Sequence, residues 1–151
     1  MPKTIISDTS CFIVLSKIGQ MELLQRLFGN IITTPEIAEE FGEILPNWVD
    51  IVSVKDKHKQ QLFDIQVDKG EASAMALALE IENSLLIIDD YKARKLAKNL
   101  NINYTGTIGI IILAKQKGII QSIKPILEKI KETNFRINAE LELQALIQAN
   151  E

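Results

Sequence analysis

Two short apolar stretches that each end in an aspartate decide the fold of this chain: Thr4-Ile5-Ile6-Ser7-Asp8 and Leu85-Leu86-Ile87-Ile88-Asp89. Apolar runs of this length, separated by stretches with helical spacing, are typical of strands that a parallel sheet buries on both faces. Ligands of open α/β sheets bind at the carboxyl ends of such strands. Asp8 and Asp89 are therefore expected to converge at one edge of a sheet. Because clustered carboxylates repel unless a cation or a proton neutralises them, the pattern indicates a metal site.

The remainder of the chain alternates between strand patterns and helical patterns. Further strands are predicted at Ile31–Thr33, Ile51–Val54 and Asn103–Thr105. Helices are predicted at Cys11–Lys17, Met21–Phe28, Thr34 to about Gly42, a polar stretch through Gln66, Gly70–Glu82, Tyr91–Leu100 and Ile108–Lys117. This alternation predicts the α/β class: a three-layer α/β/α domain with a mainly parallel central sheet.

The length of the chain predicts one domain. Its 151 residues contain no internal repeat and no low-complexity linker, and they are too few for two comfortable domains. We expect a single domain over residues 1–151, with a core at about 4–118 and a C-terminal helical extension at 119–151 that holds two helical patterns.

Composition excludes several kinds of site and location. A net charge of −3 and a pI near 5.3 give the whole molecule no attraction for nucleic acid, so a local basic patch would be needed. The single Cys11 excludes an internal disulfide, and the lone His58 excludes a His-rich zinc site. Both fit a reducing cytoplasm and oxygen ligands for a hard cation. Neither a signal-peptide layout nor a stretch of membrane-spanning length is visible, which predicts a cytoplasmic protein without membrane contact.

Four acids are candidate metal ligands: Asp8, Glu40, Glu71 and Asp89. Each has a simpler explanation when it is taken alone. Asp8 and Asp89 precede helices that they could cap, and Glu71 lies in a first helical turn, where the helix dipole favours an acid. Glu40 shares its helix with other glutamates that face solvent. The joint arrangement at strand ends and helix starts favours a shared site over four separate coincidences.

The choice of Glu40 over its neighbour Glu39 depends on helical spacing. Ile37, Phe41 and Ile44 are predicted to form the buried stripe of this helix. Glu40 lies beside that stripe and can point toward the end of the sheet. Spacing alone leaves both glutamates open.

Several segments of the chain resemble, in order, the motifs of PIN domains. They are Ile5-Ile6-Ser7-Asp8-Thr9-Ser10, Thr34-Pro35-Glu36-Ile37-Ala38-Glu39-Glu40-Phe41, Gly70-Glu71-Ala72-Ser73-Ala74 and Leu86-Ile87-Ile88-Asp89-Asp90. A closing stretch, Tyr104-Thr105-Gly106-Thr107-Ile108-Gly109, is similar to a prokaryotic PIN subgroup close to VapC-like toxins. The resemblance covers roughly residues 4–118.

This resemblance implies a Mg²⁺- or Mn²⁺-dependent endoribonuclease, the toxin of a toxin–antitoxin pair. It assigns catalysis and metal binding to Asp8, Glu40, Glu71 and Asp89. It further implies a homodimer and a small antitoxin protein as partner. The chain departs from the commoner toxin pattern at Glu71, where Asp is usual, and at Asp90, where a basic residue is frequent. Both departures concern catalytic strength more than fold.

Residues of two kinds are candidates for binding the RNA substrate. Hydroxyl groups near the acids could donate to a phosphate or could cap helices: Thr9, Ser10 and Thr107. Basic residues on the helix after Asp89 could contact backbone phosphates or could form a solvated face: Lys92, Arg94 and Lys95, with Lys98 beyond them.

Three other functions compete with the nuclease interpretation. A phosphoacceptor receiver domain needs an acid pair after its first strand, whereas Asp89-Asp90 comes late. A haloacid-dehalogenase-like phosphatase needs a second acid two residues after Asp8, where Ser10 stands. The remaining alternative is a catalytically weak PIN-like module that binds RNA or protein.

Overall fold

The structure, a computed structural model, describes residues 3–151. Within these residues one parallel sheet contains the strands β1 (Thr4–Ser7), β2 (Ile31–Thr33), β3 (Val49–Ile51), β4 (Ser84–Ile87) and β5 (Tyr104–Thr105). Their order across the sheet is β3-β2-β1-β4-β5, and every neighbouring pair is parallel. The chain builds outward from β1 to one side and then, from β4, to the other. The switch point of the topology, where α/β folds bind ligands, therefore lies between β1 and β4.

Helices connect the strands and flank the sheet, which confirms the predicted α/β fold class. They are α1 (Thr9–Lys17), α2 (Glu22–Phe28), α3 (Pro35–Phe41), α4 (Lys57–Asp64), α5 (Lys69–Glu80), α6 (Tyr91–Asn99), α7 (Thr107–Gln116), α8 (Lys124–Lys131) and α9 (Ala139–Gln148). In the described part of the chain, none of them is long and apolar enough to cross a bilayer.

The two central strands pair in a register that aligns their ends. Ser7 of β1 pairs with Ile87 of β4, and Ile6 pairs with Leu86. Ile6, Leu86 and Ile87 are fully buried, which explains why both strands are apolar without alternation. The aspartates Asp8 and Asp89 consequently follow the two strand ends at the same edge of the sheet.

Two details of the predicted elements are wrong. The strand expected at Ile51–Val54 lies at Val49–Ile51, because the chain already bonds to β2 at Trp48, whose carbonyl accepts from the Ile31 N–H at 3.0 Å. Ile44, expected in the buried stripe of α3, is 98% exposed. The helix ends at Phe41, and Gly42 adopts a left-handed conformation (φ 75°) that turns the chain away from the helical face.

The last two helices are tied to α7 by the side chain of Glu151. Its carboxylate accepts hydrogen bonds from the Ile123 N–H (2.7 Å), from Ser122 Oγ (2.6 Å) and from Lys115 Nζ (3.0 Å). These donors lower the pKa of Glu151 to about 2. With α9 packed on α7, the segment between α8 and α9 runs toward the edge of the sheet where Asp8 lies.

Candidate active site

Asp8 and Asp89 meet at the switch point between β1 and β4. The Asp8 N–H donates to the carbonyl of Ile87 at 3.1 Å, and the Asp89 N–H donates to Oδ2 of Asp8 at 3.3 Å. The other oxygen of Asp8, Oδ1, accepts from the Cys11 N–H at 3.0 Å and caps α1. Asp8 therefore caps α1 with one oxygen and faces Asp89 with the other. A helix cap and a candidate metal ligand are thus compatible roles for this one side chain.

Thr107 holds the carboxylate of Asp89 with two hydrogen bonds. Its N–H donates to Oδ1 at 2.8 Å, and its hydroxyl donates to Oδ2 at 2.6 Å. The sequence predicts that the Thr107 hydroxyl binds a phosphate or caps a helix. In the structure it is the partner that orients Asp89, while Gly106 occupies the N-cap position of α7.

Gly106 is a glycine because Asp89 approaches its backbone closely. Its φ of −122° is an extended conformation that any residue adopts. A Cβ at this position, however, would lie only 2.8 Å from Oδ1 of Asp89. The glycine thus makes room for the carboxylate, and the sequence Tyr104–Gly109 serves to place Asp89.

Asp90 differs from its neighbour although the two acids are adjacent. Its side chain accepts from the Ala93 N–H at 3.0 Å and caps α6. Its negative charge also contributes to raising the pKa of Glu71. The Asp-Asp pair therefore divides into one acid at the sheet edge and one helix cap.

Glu40 extends from the end of α3 toward the same edge. The Thr9 hydroxyl donates a short hydrogen bond to its Oε1, although the side chain as a whole is exposed. A Cβ at Gly70 would lie 2.8 Å from that oxygen, so a second glycine makes room for a second acid. Glu40 lines the cavity beside Asp8, and Glu39 does not.

Glu71 lies at the start of α5 in a capping box with Asp68. Its N–H donates to Oδ1 of Asp68 at 2.9 Å, and its own Oε1 accepts from the Asp68 N–H at 3.4 Å. Burial, followed by the charges of Asp68 and Asp90, raises the pKa of Glu71 to about 8. At neutral pH this carboxyl, without a cation beside it, therefore favours the protonated form.

The candidate residues line two neighbouring cavities. The first has a volume of about 400 Å³ and contains Asp8, Thr9, Ser10, Glu40 and Glu71. The second, about 360 Å³, contains Asp89 and Arg94. Three of the four acids thus share one cavity, and Asp89 faces the next one.

The acids match a divalent cation in chemistry but do not form a closed cage. Burial, and after it the charge of Asp89, raises the pKa of Asp8 well above its usual value, so a cation beside it would favour its charged form. The donors are carboxylate and hydroxyl oxygens, the ligands that Mg²⁺ and Mn²⁺ prefer. Within residues 3–151, no three acidic, His or Cys side chains are close enough together to hold one ion. Asp8 and Asp89 are the pair that a cation would neutralise.

The predicted basic residues separate into two groups. Arg94 is half-buried and lines the cavity of Asp89. Lys92 and Lys95 are exposed on α6 and line neither of the two cavities that contain the acids. Sequence reasoning missed Phe135 and Arg136, which line both cavities. No local pattern marks them, because they reach the site only through the packing of α9 on α7.

Comparison with known proteins agrees with this geometry. The family model DUF3368, which describes a PIN domain, matches residues 4–151. The chain belongs to the PIN-domain family. PIN domains are generally nucleases and generally use divalent metal ions, so a nuclease-type activity is the expectation for this PIN domain. The family match extends beyond residue 118 and includes the segment that carries Phe135 and Arg136. No curated protein matches the chain.

Proposed function

We propose that this PIN domain is a Mg²⁺- or Mn²⁺-dependent endoribonuclease. The observation that carries the proposal is the pair Asp8 and Asp89, whose carboxylates follow the ends of adjacent parallel strands at one edge of the sheet. Burial and the charge of Asp89 raise the pKa of Asp8, so a divalent ion would relieve the repulsion between the two acids. An RNA phosphodiester is a substrate that such an ion would polarise.

In the proposed reaction, water adds to the phosphorus of a phosphodiester and the P–O bond to one ribose oxygen breaks. Asp8 and Asp89 would hold the divalent ion, which when bound supplies Lewis acidity toward the phosphoryl oxygens. With a divalent ion nearby to favour its charged form, Glu71 would accept a proton from the attacking water. The departing ribose oxygen takes a proton from solvent and leaves as a hydroxyl. Thr107 keeps Asp89 in place throughout.

The finer biological assignment follows the resemblance to VapC-like proteins. We propose a cytoplasmic toxin that a small antitoxin protein inhibits and that forms a homodimer. Exposed apolar side chains on α9, Leu143 and Ile147, are compatible with a second chain.

A second candidate function is a catalytically weak PIN module that binds RNA or protein. Its support is the arrangement of the acids, since no three of them within residues 3–151 are grouped to hold one ion. Glu71, engaged in a capping box, and the extra acid Asp90 also favour this alternative.

The test is cleavage of a structured RNA pool by the purified full-length protein with Mg²⁺, Mn²⁺ or EDTA. Asp8→Asn and Asp89→Asn are compared with Asp64→Asn, a control acid exposed at the end of α4. The proposal expects cleavage that requires a metal ion, is lost in both site variants and is retained in the control. Equal cleavage by all four proteins would contradict it. RNA binding without cleavage in any ion would favour the binding module.

A further inference from the structure

The segment between α8 and α9, residues 132–138, forms a wall of the candidate site. Phe135 and Arg136 line both the cavity of Asp8 and the cavity of Asp89. The segment is fixed at its start, where the Phe135 N–H donates to Thr133 Oγ1 at 3.1 Å. It is fixed at its end by Asn138, whose Oδ1 accepts from the Leu141 N–H at 2.7 Å and caps α9. Arg136 is therefore held at the border between the two cavities.

Arg136 brings a positive charge to the border of the two cavities that contain the four candidate acids. The residue is exposed, and within residues 3–151 no acidic side chain forms an ion pair with it. Its guanidinium is consequently available to a ligand. The net charge of −3 makes a local positive charge necessary for any polyanion to approach these acids.

Arg94 offers a second guanidinium across the cavity of Asp89. Its Cζ lies over the ring of Tyr104, 5.1 Å from the ring centroid, which is within the range of a cation–π contact. A Cβ at Gly106 would lie 3.8 Å from Arg94 Cζ and 2.8 Å from Asp89 Oδ1, so the cation and the acid are neighbours. Its Nε is buried, yet it has no hydrogen-bond partner within residues 3–151. A buried donor of this kind needs an acceptor, and an incoming ligand can supply it.

We propose that Arg94 and Arg136 bind phosphates of a single-stranded RNA and hold the strand across the groove formed by the cavity of Asp89. Guanidinium groups match phosphate oxygens in charge and in planar geometry. This inference rests on the proposed function, because it takes RNA as the substrate. It adds residues 132–138, which lie outside the motifs of the resemblance, to the substrate-binding surface.

The experiment measures binding of a fluorescein-labelled single-stranded RNA of twelve nucleotides by anisotropy, in EDTA so that no cleavage occurs. The full-length protein is compared with Arg94→Gln and Arg136→Gln at 50 to 200 mM salt. Each variant is expected to raise Kd about tenfold, as loss of a hydrogen bond to a charged group predicts. Each should also reduce the slope of log Kd against log salt by about 0.7, the value for one phosphate of a single strand. Arg94→Lys should keep the slope and lose part of the affinity.

Lys57→Gln and Lys124→Gln are the matched controls, since both lysines are exposed and line neither cavity of the acids. The proposal expects both to bind as the wild type does. An unchanged Kd and slope for Arg136→Gln would overturn it. A lower Kd for Arg136→Gln would overturn it as well, because residues 132–138 would then block the groove.

Cleavage assays on the same proteins separate this proposal from the nuclease proposal. If the wild type cuts RNA, Asp8→Asn does not, and both arginine variants bind and cut normally, the nuclease stands and the arginine site fails. If no protein cuts but both arginines are required for binding, the arginine site stands and the nuclease fails.

Discussion

The edge of the sheet at Asp8 and the Glu151 anchor shift the pKa of a carboxyl group in opposite directions. At the anchor, defined as Glu151 with Lys115, Ser122 and Ile123, every donor faces the acid and the pKa of Glu151 falls to about 2. At the edge, Asp8 is buried beside Asp89 and its pKa is raised. The charge of Glu151 therefore stabilises the folded protein. The buried charge of Asp8 instead lowers the stability of the folded protein, and it attracts a cation.

This contrast separates acids that fold the protein from acids that are available for chemistry. Neutralising an acid at the edge should reduce activity without loss of stability. Neutralising the acid of the anchor should reduce stability without direct loss of activity. Each of the following variants tests one side of that difference.

The largest effect is expected for Asp8→Asn. Cleavage should fall at least about 100-fold, since even indirect partners of metal ligands cost 10- to 100-fold. The same variant should raise Tm in EDTA by about 2–4 °C, because Asn keeps the helix cap and removes the buried charge. Thermal unfolding and cleavage are measured on one preparation. A Tm well below that of the wild type would show that Asp8 is structural.

The two glycines beside the acids should give the next largest effects. Gly106→Ala places a Cβ 2.8 Å from Asp89 Oδ1, where the acid is held by Thr107 and cannot move freely. Cleavage should fall about 10- to 100-fold. Gly70→Ala meets Glu40 at the same distance, but that side chain is exposed and can rotate away. We expect a smaller loss for Gly70→Ala, and equal losses would contradict the contrast between a fixed and a mobile acid.

Thr107→Val should lower cleavage about tenfold, because it removes the hydroxyl that orients Asp89 while it keeps the buried shape. Thr107→Ser restores the hydroxyl and should recover most of the activity. Because Thr107 acts through Asp89, Mn²⁺ titration of the activity provides the second readout: the valine variant should need more metal. Failure of the serine variant to recover activity would indicate a packing role.

The smallest effect concerns the anchor and its dependence on pH. Glu151 has a folded pKa of about 2, below its ordinary 4.5, so its contribution to stability is complete above pH 4.5 and is lost as pH falls toward 2. Glu151→Gln should lower Tm at pH 6 to 7, and the difference from the wild type should vanish near pH 2. Glu43→Gln, an exposed acid beyond α3, is the control. A Tm difference that does not depend on pH would contradict the electrostatic explanation.

The central strands and the positions of Asp8 and Asp89 could be predicted because local patterns determine them. The apolar runs of β1 and β4 have no alternation, and an acid follows the end of each strand within two residues. Errors arose where a turn overrode the pattern: left-handed Gly42 turns the chain away from the face on which Ile44 was expected. The roles of residues at helix starts were harder to predict. Thr107, for example, has the sequence position of a helix cap, but in the structure its hydroxyl donates to Asp89.

The sequence by itself determined a parallel α/β fold with two aspartates at strand ends, since strand burial and helix spacing are properties of neighbouring residues. Only the tertiary structure decided how the four acids divide between two cavities and that Arg94 stands beside Asp89. It also decided that Arg136, which follows Asp89 by more than 45 positions in the sequence, lines the same cavity as Asp89. Such long-range proximities depend on how helices pack on one another, and no local periodicity encodes that packing.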